Sequence, residues 1–210
     1  MKVLCIASQK GGSSKTTIAA GLAVAATQDG EHVVCIDGDP QGSLLSWGRR
    51  RHRRGLNDIV FRAVTPSEVD GLLDRIQAHG KHSLVLIDSP GQLSAAVTVL
   101  VRGSSMVLMP VRPSILDIEA TSATVRSVGQ MGKYFAYVLA QTDSRRPALI
   151  EETRALLSET GAVAPGSIAS RAAHQTAMLE GLGVTEIGGP AGDEVAALWA
   201  WLKARMSKGT

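Results

Sequence analysis

A nine-residue loop sequence decides the fold of this chain: Gln9-Lys10-Gly11-Gly12-Ser13-Ser14-Lys15-Thr16-Thr17. An apolar run at 3–7 precedes the loop, and a periodic apolar segment at 18–26 follows it. A strand, a loop of small residues and a helix in this order form the setting of a phosphate-binding loop. Glycines let the backbone approach an anion closely, and the first free N–H groups of the helix point at it. The sequence therefore predicts a nucleotide site at the start of the chain.

The general phosphate-loop pattern is G-x-x-x-x-G-K-[ST], and this loop departs from it at two positions. The pattern places Lys15 at the β- and γ-phosphates and the Thr16 hydroxyl on Mg²⁺. Gln9 stands at the first glycine position and Ser14 at the second. If the Ser14 position requires a positive φ, a serine there costs about 1 kcal/mol or more. The alternative interpretation is a glycine-rich turn that contains a lysine by chance.

A second lysine and two glycines, Lys10-Gly11-Gly12, extend the pattern. The loop resembles the deviant Walker A loop of the ParA/MinD superfamily, K-G-G-x-G-K-T-T. The resemblance implies ATP as the nucleotide and a homodimer that sandwiches it, in which Lys10 reaches the partner's nucleotide in trans. The nucleotide-binding residues implied in this way are Lys10, Gly11, Gly12, Ser13, Ser14, Lys15, Thr16 and Thr17.

Length and composition favour one α/β domain over residues 1–210. Hydrophobic residues make up 44% of the chain, which is ample for a core, although aromatic residues are only 3%. No apolar run reaches the ~18 residues of a membrane span, and the N-terminus lacks the pattern of a signal peptide. Cys5 and Cys35 fall in predicted buried strands and suggest neither a metal site nor a disulfide. We expect a cytoplasmic protein without a membrane partner.

Apolar and amphipathic segments alternate along the whole chain, which predicts a doubly wound, mostly parallel β-sheet flanked by helices. The resemblance of the loop implies that this sheet belongs to a P-loop NTPase of the deviant Walker A type. The predicted strands are 2–7, 32–36, 58–64, 83–87, 105–109, 135–140 and 167–168. The predicted helices are 15–29, 67–78 with Ser67 as its N-cap, 118–131, 149–159, a segment ending at 180, and 193–206. The last helix places Val195, Leu198, Trp199 and Leu202 on one face.

Carboxylates follow two of the predicted strands, where ligands of parallel sheets bind. The sequence D-x-D-P-Q-G-S at 37–43 resembles switch I of ParA-type ATPases, and the resemblance implies that Asp39 positions the attacking water and that Asp37 supports the Mg²⁺ shell. The alternative is a helix-capping turn before Pro40. Asp88 ends a strand as a Walker B aspartate does, and would bind Mg²⁺ through water.

Three further segments resemble the same family. Asp88-Ser89-Pro90-Gly91 with Leu93-Ser94 resembles switch II, in which the Gly91 backbone would sense the γ-phosphate. The sequence at 110–117 matches P-V-x-P-S-x-x-D, and 141–145 resembles a segment near the adenine, although no base contact is assigned. The resemblance thus implies Lys10, Lys15 and Asp39 as catalytic residues and Thr16, Asp37 and Asp88 as the metal set.

Basic residues are concentrated in one block at 49–54 and near the C-terminus, in a chain with a net charge of +3. A local basic patch favours polyanion binding, and the lack of interleaved aromatic residues favours contacts with the DNA backbone rather than with bases. Alternatives are a solvated helix face or turn, an acidic protein partner, or a membrane surface. The predicted DNA-binding residues are Arg49, Arg50, Arg51, Arg53, Arg54, Lys203 and Arg205.

In length and loop sequence the chain is most similar to small, plasmid-type ParA partition proteins. This similarity implies a slow ATPase switch that binds DNA non-specifically in its ATP state, associates with the nucleoid, responds to a ParB-like activator, and segregates DNA or positions another cargo. Whether filaments or other higher assemblies form stays open. The alternatives are a conjugation-associated or non-hydrolysing scaffold, and a metabolic enzyme of the dethiobiotin synthetase type. The metabolic enzyme would need a polar pocket near switch II, where the sequence offers Ser89, Gln92 and Ser94.

Overall fold

A seven-stranded, fully parallel sheet forms the centre of the computed structural model, which describes residues 1–91 and 95–208 without the side chain of Lys208. The strand order is β3-β2-β4-β1-β5-β6-β7, and every pairing is parallel. The strands are β1 Lys2–Ile6, β2 Val33–Asp37, β3 Val60–Ala63, β4 Leu84–Asp88, β5 Met106–Val111, β6 Tyr134–Thr142 and β7 Ala162–Ala169.

Helices cover both faces of this sheet, as the alternating sequence pattern predicts. They are α1 Lys15–Gln28, α2 Ser43–Arg53, α3 Val69–His79, α4 Ala95–Arg102, α5 Ile115–Gln130, α6 Pro147–Ser158, α7 Ala172–Glu180, α8 Val184–Ile187 and α9 Gly189–Lys208. Alternate residues of β1 enter opposite cores: Leu4 and Ile6 pack with α1, α2 and α9, whereas Val3 and Cys5 pack with α3 and α4. The doubly wound α/β fold is thereby confirmed.

Most predicted elements are present, and two of the differences have local causes. Ser67 is not the N-cap, because Thr65 and Glu68 form a capping box that starts a 3-10 turn, Pro66–Glu68, ahead of α3. The last strand is longer than predicted, since Pro165 and Gly166 lie within β7. Proline is tolerated there because β7 is an edge strand. Helices α2, α4 and α8 were not predicted.

Both cysteines are buried, as predicted, and the structure describes both as free thiols. The predicted apolar face of α9 is confirmed, because Val195, Leu198, Trp199 and Leu202 are all buried. Within the described part of the chain, no helix has the length and apolar content to cross a membrane.

The packing of α2 corrects one of the predicted DNA contacts. This helix buries Leu44, Trp47 and Arg51 at spacings of three and four residues. The Arg51 guanidinium is only 1% exposed and donates bidentate hydrogen bonds to Asp58, at 2.9 and 2.6 Å, and to Glu186, at 2.9 Å each. Arg51 is therefore not a surface residue that could meet DNA, and its prediction as one is wrong. A buried guanidinium requires carboxylate partners, and here they join α2 to α8.

Replacing this arginine should destabilise the fold rather than weaken nucleic-acid binding. We expect Arg51→Ala to lower the free energy of unfolding by about 3–5 kcal/mol, because two carboxylates lose their shared cation. Urea unfolding followed by circular dichroism measures the change. Arg53→Ala is the matched control, since Arg53 is exposed on the same helix and should change stability by no more than about 0.5 kcal/mol. Equal effects of the two substitutions would contradict the structural function of Arg51.

Candidate nucleotide-binding site

Three central strands bring the predicted site residues to one edge of the sheet. Asp88 at the end of β4 lies in register with Ile6 at the end of β1 and with Asp37 at the end of β2. Because parallel strands end on the same side, the loops that follow β1, β2 and β4 meet there. The phosphate loop and both aspartate segments are therefore neighbours in space.

The phosphate loop adopts the conformation that its glycines suggest. Gly12 has a φ of 74°, and Ser14, the N-cap of α1, has a φ of 67° and a ψ of 20°. The serine thus occupies the left-handed region, the condition under which the sequence predicts a backbone cost of about 1 kcal/mol. Lys15 is 7% exposed, and its Nζ lies 3.3 Å from the Lys10 carbonyl oxygen and 3.5 Å from Ser13 Oγ.

The surroundings of Lys15 favour an anion. Burial lowers the pKa of this lysine, while the charges of Asp88 and Asp39 oppose that shift. Among the described residues Lys15 forms no ion pair within 4 Å. Gly91 lies against the loop, because a Cβ at Gly91 would stand 3.5 Å from the lysine Nζ. The residues that follow it, 92–94, lie outside the described ranges, and with them the predicted switch II residues Leu93 and Ser94 and the polar Gln92.

The arrangement at Thr16 and Asp88 fits a magnesium ion. Thr16 Oγ1 donates a hydrogen bond of 2.6 Å to Asp88 Oδ2, and the buried Asp88 Oδ1 has no hydrogen-bond partner among the residues that the structure describes. Burial raises the pKa of Asp88 to about 7, and the charge of Asp37 adds to the rise. An unpaired buried carboxylate oxygen beside a hydroxyl supplies the oxygen ligands that Mg²⁺ prefers. Over residues 1–91 and 95–208, no three His, Cys, Asp or Glu side chains converge on one point; Mg²⁺ ordinarily takes one or two carboxylates, with water and phosphate completing its shell.

Asp37 organises the loop that carries Asp39. Its Oδ1 accepts a hydrogen bond from the Asp39 N–H at 3.1 Å, and its Oδ2 accepts one from the Leu45 N–H at 2.9 Å. The second bond satisfies a free donor in the first turn of α2. Asp39 is half-buried, and its Oδ1 accepts a hydrogen bond from the Gln41 N–H at 2.9 Å. The predicted metal-shell function of Asp37 stays a prediction, and the geometry adds a structural function to it.

Lys10 faces its own chain. Its Nζ lies 2.9 Å from Asp117 Oδ2, and Asp117 also accepts a hydrogen bond from Arg112 Nε at 3.0 Å. Asp117 is 6% exposed, whereas Lys10 is 39% exposed. Asp117 had no function predicted from the sequence, although it is the last residue of the P-V-x-P-S-x-x-D match. In this conformation the lysine is held beside the phosphate loop by an internal ion pair.

Gln141 also had no function predicted from the sequence, although it is the first residue of the 141–145 match, and it follows the buried part of β6. Its side-chain amide donates to the Gly12 carbonyl oxygen at 2.6 Å and to Ser14 Oγ at 2.8 Å. A cavity of about 620 Å³ opens beside it, with Thr17, His174 and Met178 among its lining residues. Polar and apolar groups thus surround a space that adjoins the phosphate loop.

The remaining predicted DNA-binding residues occupy different surroundings. Arg49 and Arg53 are exposed on α2. Arg50 donates to the Met178 carbonyl oxygen at 2.8 Å, and Arg54 pairs with Glu180, so both contact α7. Arg49, Arg50, Arg53 and Arg54 therefore form a ridge along α2 and α7, which we call the α2 ridge.

Lys203 and Arg205 lie far from the phosphate loop. Lys203 pairs with Asp29 at 2.6 Å, directly after the end of α1. Since α1 has 14 residues, it carries that end about 21 Å from the loop. Arg205 stacks on Trp201 at 4.3 Å and donates a hydrogen bond to Tyr134.

Several known proteins are similar to this chain in sequence. The model of the CobQ/CobB/MinD/ParA nucleotide binding domain matches residues 4–184. A maintenance of carboxysome distribution protein A from Gloeobacter kilaueensis is 33% identical over 188 residues, which cover 88% of this chain and 84% of that protein. The chromosome partitioning protein ParA from Caulobacter vibrioides is 29% identical over 166 residues, which cover 61% of this chain and 62% of that protein.

A solved structure supports the fold. The septum site-determining protein MinD from Pyrococcus horikoshii, in complex with Mg-ADP, superposes with a TM-score of 0.80 at 16% identity, covering 100% of this chain and 98% of that one. The chain belongs to the MinD/ParA nucleotide-binding family of P-loop ATPases. The predicted family and fold are thus confirmed, and use of a magnesium nucleotide is consistent with the family.

The unpaired oxygen of Asp88 gives a test of the metal site. In metal-free and nucleotide-free protein at pH 8, we expect Asp88→Asn to raise the free energy of unfolding, because it removes a buried charge beside Asp37. The same substitution should abolish the increase in nucleotide affinity that Mg²⁺ produces, since the ion loses its carboxylate. Denaturant unfolding and calorimetric titration with and without Mg²⁺ measure the two effects. Loss of stability together with unchanged magnesium dependence would contradict the assignment.

Proposed function

We propose that this protein is an ATP-dependent, dimerising switch that segregates DNA or positions another large cargo, and that its ATP state binds DNA non-specifically. The observation that carries the proposal is the convergence of Lys15, the Thr16–Asp88 pair and Asp39 at one edge of the sheet, with Lys10 beside them. Phosphate, metal and water sites would then share a single loop cluster.

ATP fits the shape and charge of this edge. The first N–H groups of α1 and the buried Lys15 would receive the phosphates, and the adjoining cavity of about 620 Å³ would receive the nucleoside. Thr16 and Asp88 would hold Mg²⁺, which when bound neutralises charge on the β- and γ-phosphates. Asp37 keeps the Asp39 loop fixed to the start of α2.

Hydrolysis needs a positioned water and a cationic environment. Asp39 would hold the water whose oxygen attacks the γ-phosphorus as the bond to ADP breaks, and Lys15 would stabilise the charge that develops on the transferred group. Removal of the γ-phosphate alters the contacts of the loop that joins Asp39 to α2. The bound nucleotide would thereby affect the position of the arginines of the α2 ridge.

Dimerisation would depend on the release of Lys10. To act on a partner's nucleotide, this lysine must leave Asp117, so its internal ion pair competes with the ATP dimer. Ile115 and Leu116, close to Asp117 in sequence, are 74% and 68% exposed. Exposed apolar side chains next to a charged switch fit a surface that a second copy covers only in one state.

The α2 ridge is the surface that we propose for DNA. Arg49 and Arg53 are exposed, whereas Arg50 and Arg54 are oriented by contacts with α7. A dimer would carry two such ridges, and simultaneous engagement of both raises affinity without any new contact. Lys203 and Arg205 would add charge at the opposite edge of the sheet, as a separate surface.

The proposal defines the cargo only by class, as DNA or another large body. The two relatives described above carry names for carboxysome distribution and for chromosome partitioning, and both names describe the placement of large bodies. A ParB-like activator on such a cargo would stimulate a slow ATPase. A protein that binds ATP without turnover would instead support the scaffold alternative, and turnover that requires a small organic substrate would support the metabolic one.

Asp39 gives the direct test of the ATPase mechanism. We expect Asp39→Ala to leave the affinity for ATP within about threefold of wild type and to lower turnover by about 100-fold or more, because the water loses its positioning carboxylate. Phosphate release assays and calorimetric titration measure the two quantities. Normal turnover in this variant would contradict the function given to Asp39.

The DNA proposal predicts dependence on both nucleotide and the α2 ridge. Random-sequence duplex DNA should bind tightly with ATP and weakly with ADP or without nucleotide, and Lys15→Ala should remove the difference. Arg49→Ala with Arg53→Ala should weaken binding and reduce the salt slope by about 0.9 for each DNA phosphate that is no longer neutralised. Arg102→Ala on α4, where the arginine is also exposed, is the control. Equal binding in all nucleotide states would show a constitutive patch, and weaker binding by the control variant would place the surface elsewhere.

A further inference from the structure

Two described residues other than glycine have a positive φ, and they are hydrogen-bonded to each other. Ser14 has a φ of 67° and Gln141 a φ of 54°. The Gln141 amide donates to Ser14 Oγ at 2.8 Å across 127 residues of sequence. Side chains with a Cβ disfavour this backbone region, and residues held in it gather where the surrounding structure imposes the conformation.

The conformation of Gln141 follows from a bulge between β6 and β7. Ala140 pairs with Ile168 and Thr142 pairs with Ala169, so Gln141 is an extra residue on its strand. Ala140 and Thr142 are buried, whereas Gln141 is exposed. A bulge redirects one side chain out of the alternation of a strand, and here it sends the amide to the phosphate loop.

The contacts of this amide fix the peptide that precedes Ser13. Its nitrogen donates to the Gly12 carbonyl oxygen at 2.6 Å, as well as to Ser14 Oγ. In a trans peptide the C=O and the following N–H point in opposite directions. With the Gly12 carbonyl turned towards Gln141, the Ser13 N–H points away from it and is left for an anion.

We propose that Gln141 is a positioning residue that clamps the phosphate loop in its anion-binding shape, with Ser14, at a glycine position of the motif, supplying one of the two acceptors. This inference rests on the proposed nucleotide-binding function. On this inference, the serine that replaces the motif glycine at position 14 acts together with Gln141, because its hydroxyl accepts the Gln141 hydrogen bond. The clamp also lines the cavity proposed for the nucleoside, so it joins the two parts of that site.

Gln141→Gly separates positioning from general stability. Glycine removes the amide and also relieves the positive φ, so the melting temperature of the nucleotide-free protein should stay equal or rise. The dissociation constant for a non-hydrolysable ATP analogue with Mg²⁺ should rise about tenfold, as expected for the loss of two hydrogen bonds that orient the loop. A parallel loss of stability and affinity, or an unchanged affinity, would overturn the clamp.

Two further variants complete the binding experiment. Gln141→Asn tolerates a positive φ and keeps an amide, but it is one methylene shorter and should lose a similar amount of affinity. A loss of affinity in Gln141→Asn would exclude the added backbone flexibility of glycine as the cause of the weaker binding in Gln141→Gly. Gln77→Ala, at an exposed glutamine on α3, should bind as wild type does. Wild-type affinity in Gln141→Asn would count against the distances that the clamp requires.

Ser14→Gly tests the second half of the pair. In that background one of the two acceptors is already missing, so Gln141→Gly should weaken analogue binding by a smaller factor than in wild type. The double-mutant cycle measures this coupling. Strictly additive effects would remove Ser14 from the clamp and leave the contact with Gly12.

Amide hydrogen exchange of nucleotide-free protein tests the clamp without any ligand. Peptides covering residues 8–17 should exchange faster in Gln141→Gly and Gln141→Asn than in wild type and Gln77→Ala. Unchanged exchange would overturn the clamp even if affinity falls. If wild type binds no analogue, the proposed nucleotide function fails, and the exchange rates still decide whether Gln141 holds the loop.

Discussion

The hydrogen bond from Thr16 to Asp88 is the contact on which the rest of the site depends. It joins the start of α1 to the end of β4, in the buried centre of the sheet. Within the described part of the chain, the other Asp88 carboxylate oxygen has no hydrogen-bond partner. A buried, unpaired carboxylate oxygen is unfavourable unless a cation comes to it. A bound magnesium nucleotide would supply the cation that this carboxylate oxygen lacks.

Around this contact, the Asp39 loop and Lys10 are each held by polar contacts within the chain. Asp37 ties the Asp39 loop to α2 through two backbone N–H groups, and Lys10 is occupied by Asp117. The far end of α2 is fixed more firmly, because Arg51 is buried between Asp58 and Glu186. Under the proposed function, a change in the first turn of α2 would pass along this helix towards its exposed arginines. That geometry suits a switch whose signal is the γ-phosphate.

Much of the fold, and the position of the phosphate loop, could be predicted from local sequence. The apolar strands, the phosphate loop and the apolar face of α9 follow from periodicity and turn chemistry, which act over a few residues. The arginine block shows where such reading fails. Five arginines between 49 and 54 look alike in sequence, yet Arg51 is buried because α2 directs every third or fourth residue inwards and two carboxylates outside the helix meet it. The contacts of Asp117 with Lys10 and of Gln141 with Ser14 were not predicted for the same reason, since these partners lie 107 and 127 residues away.

The sequence by itself determined the parallel α/β architecture, the phosphate loop and the strand ends that carry aspartates, because these depend on short-range patterns of apolar, small and charged residues. The tertiary structure decided which charges are free. It buried Arg51, paired Lys10 with Asp117, and brought Gln141 through a bulge to the loop that contains Ser14. These outcomes depend on the order of strands in the sheet and on the register between them, which bring together residues that no local pattern relates.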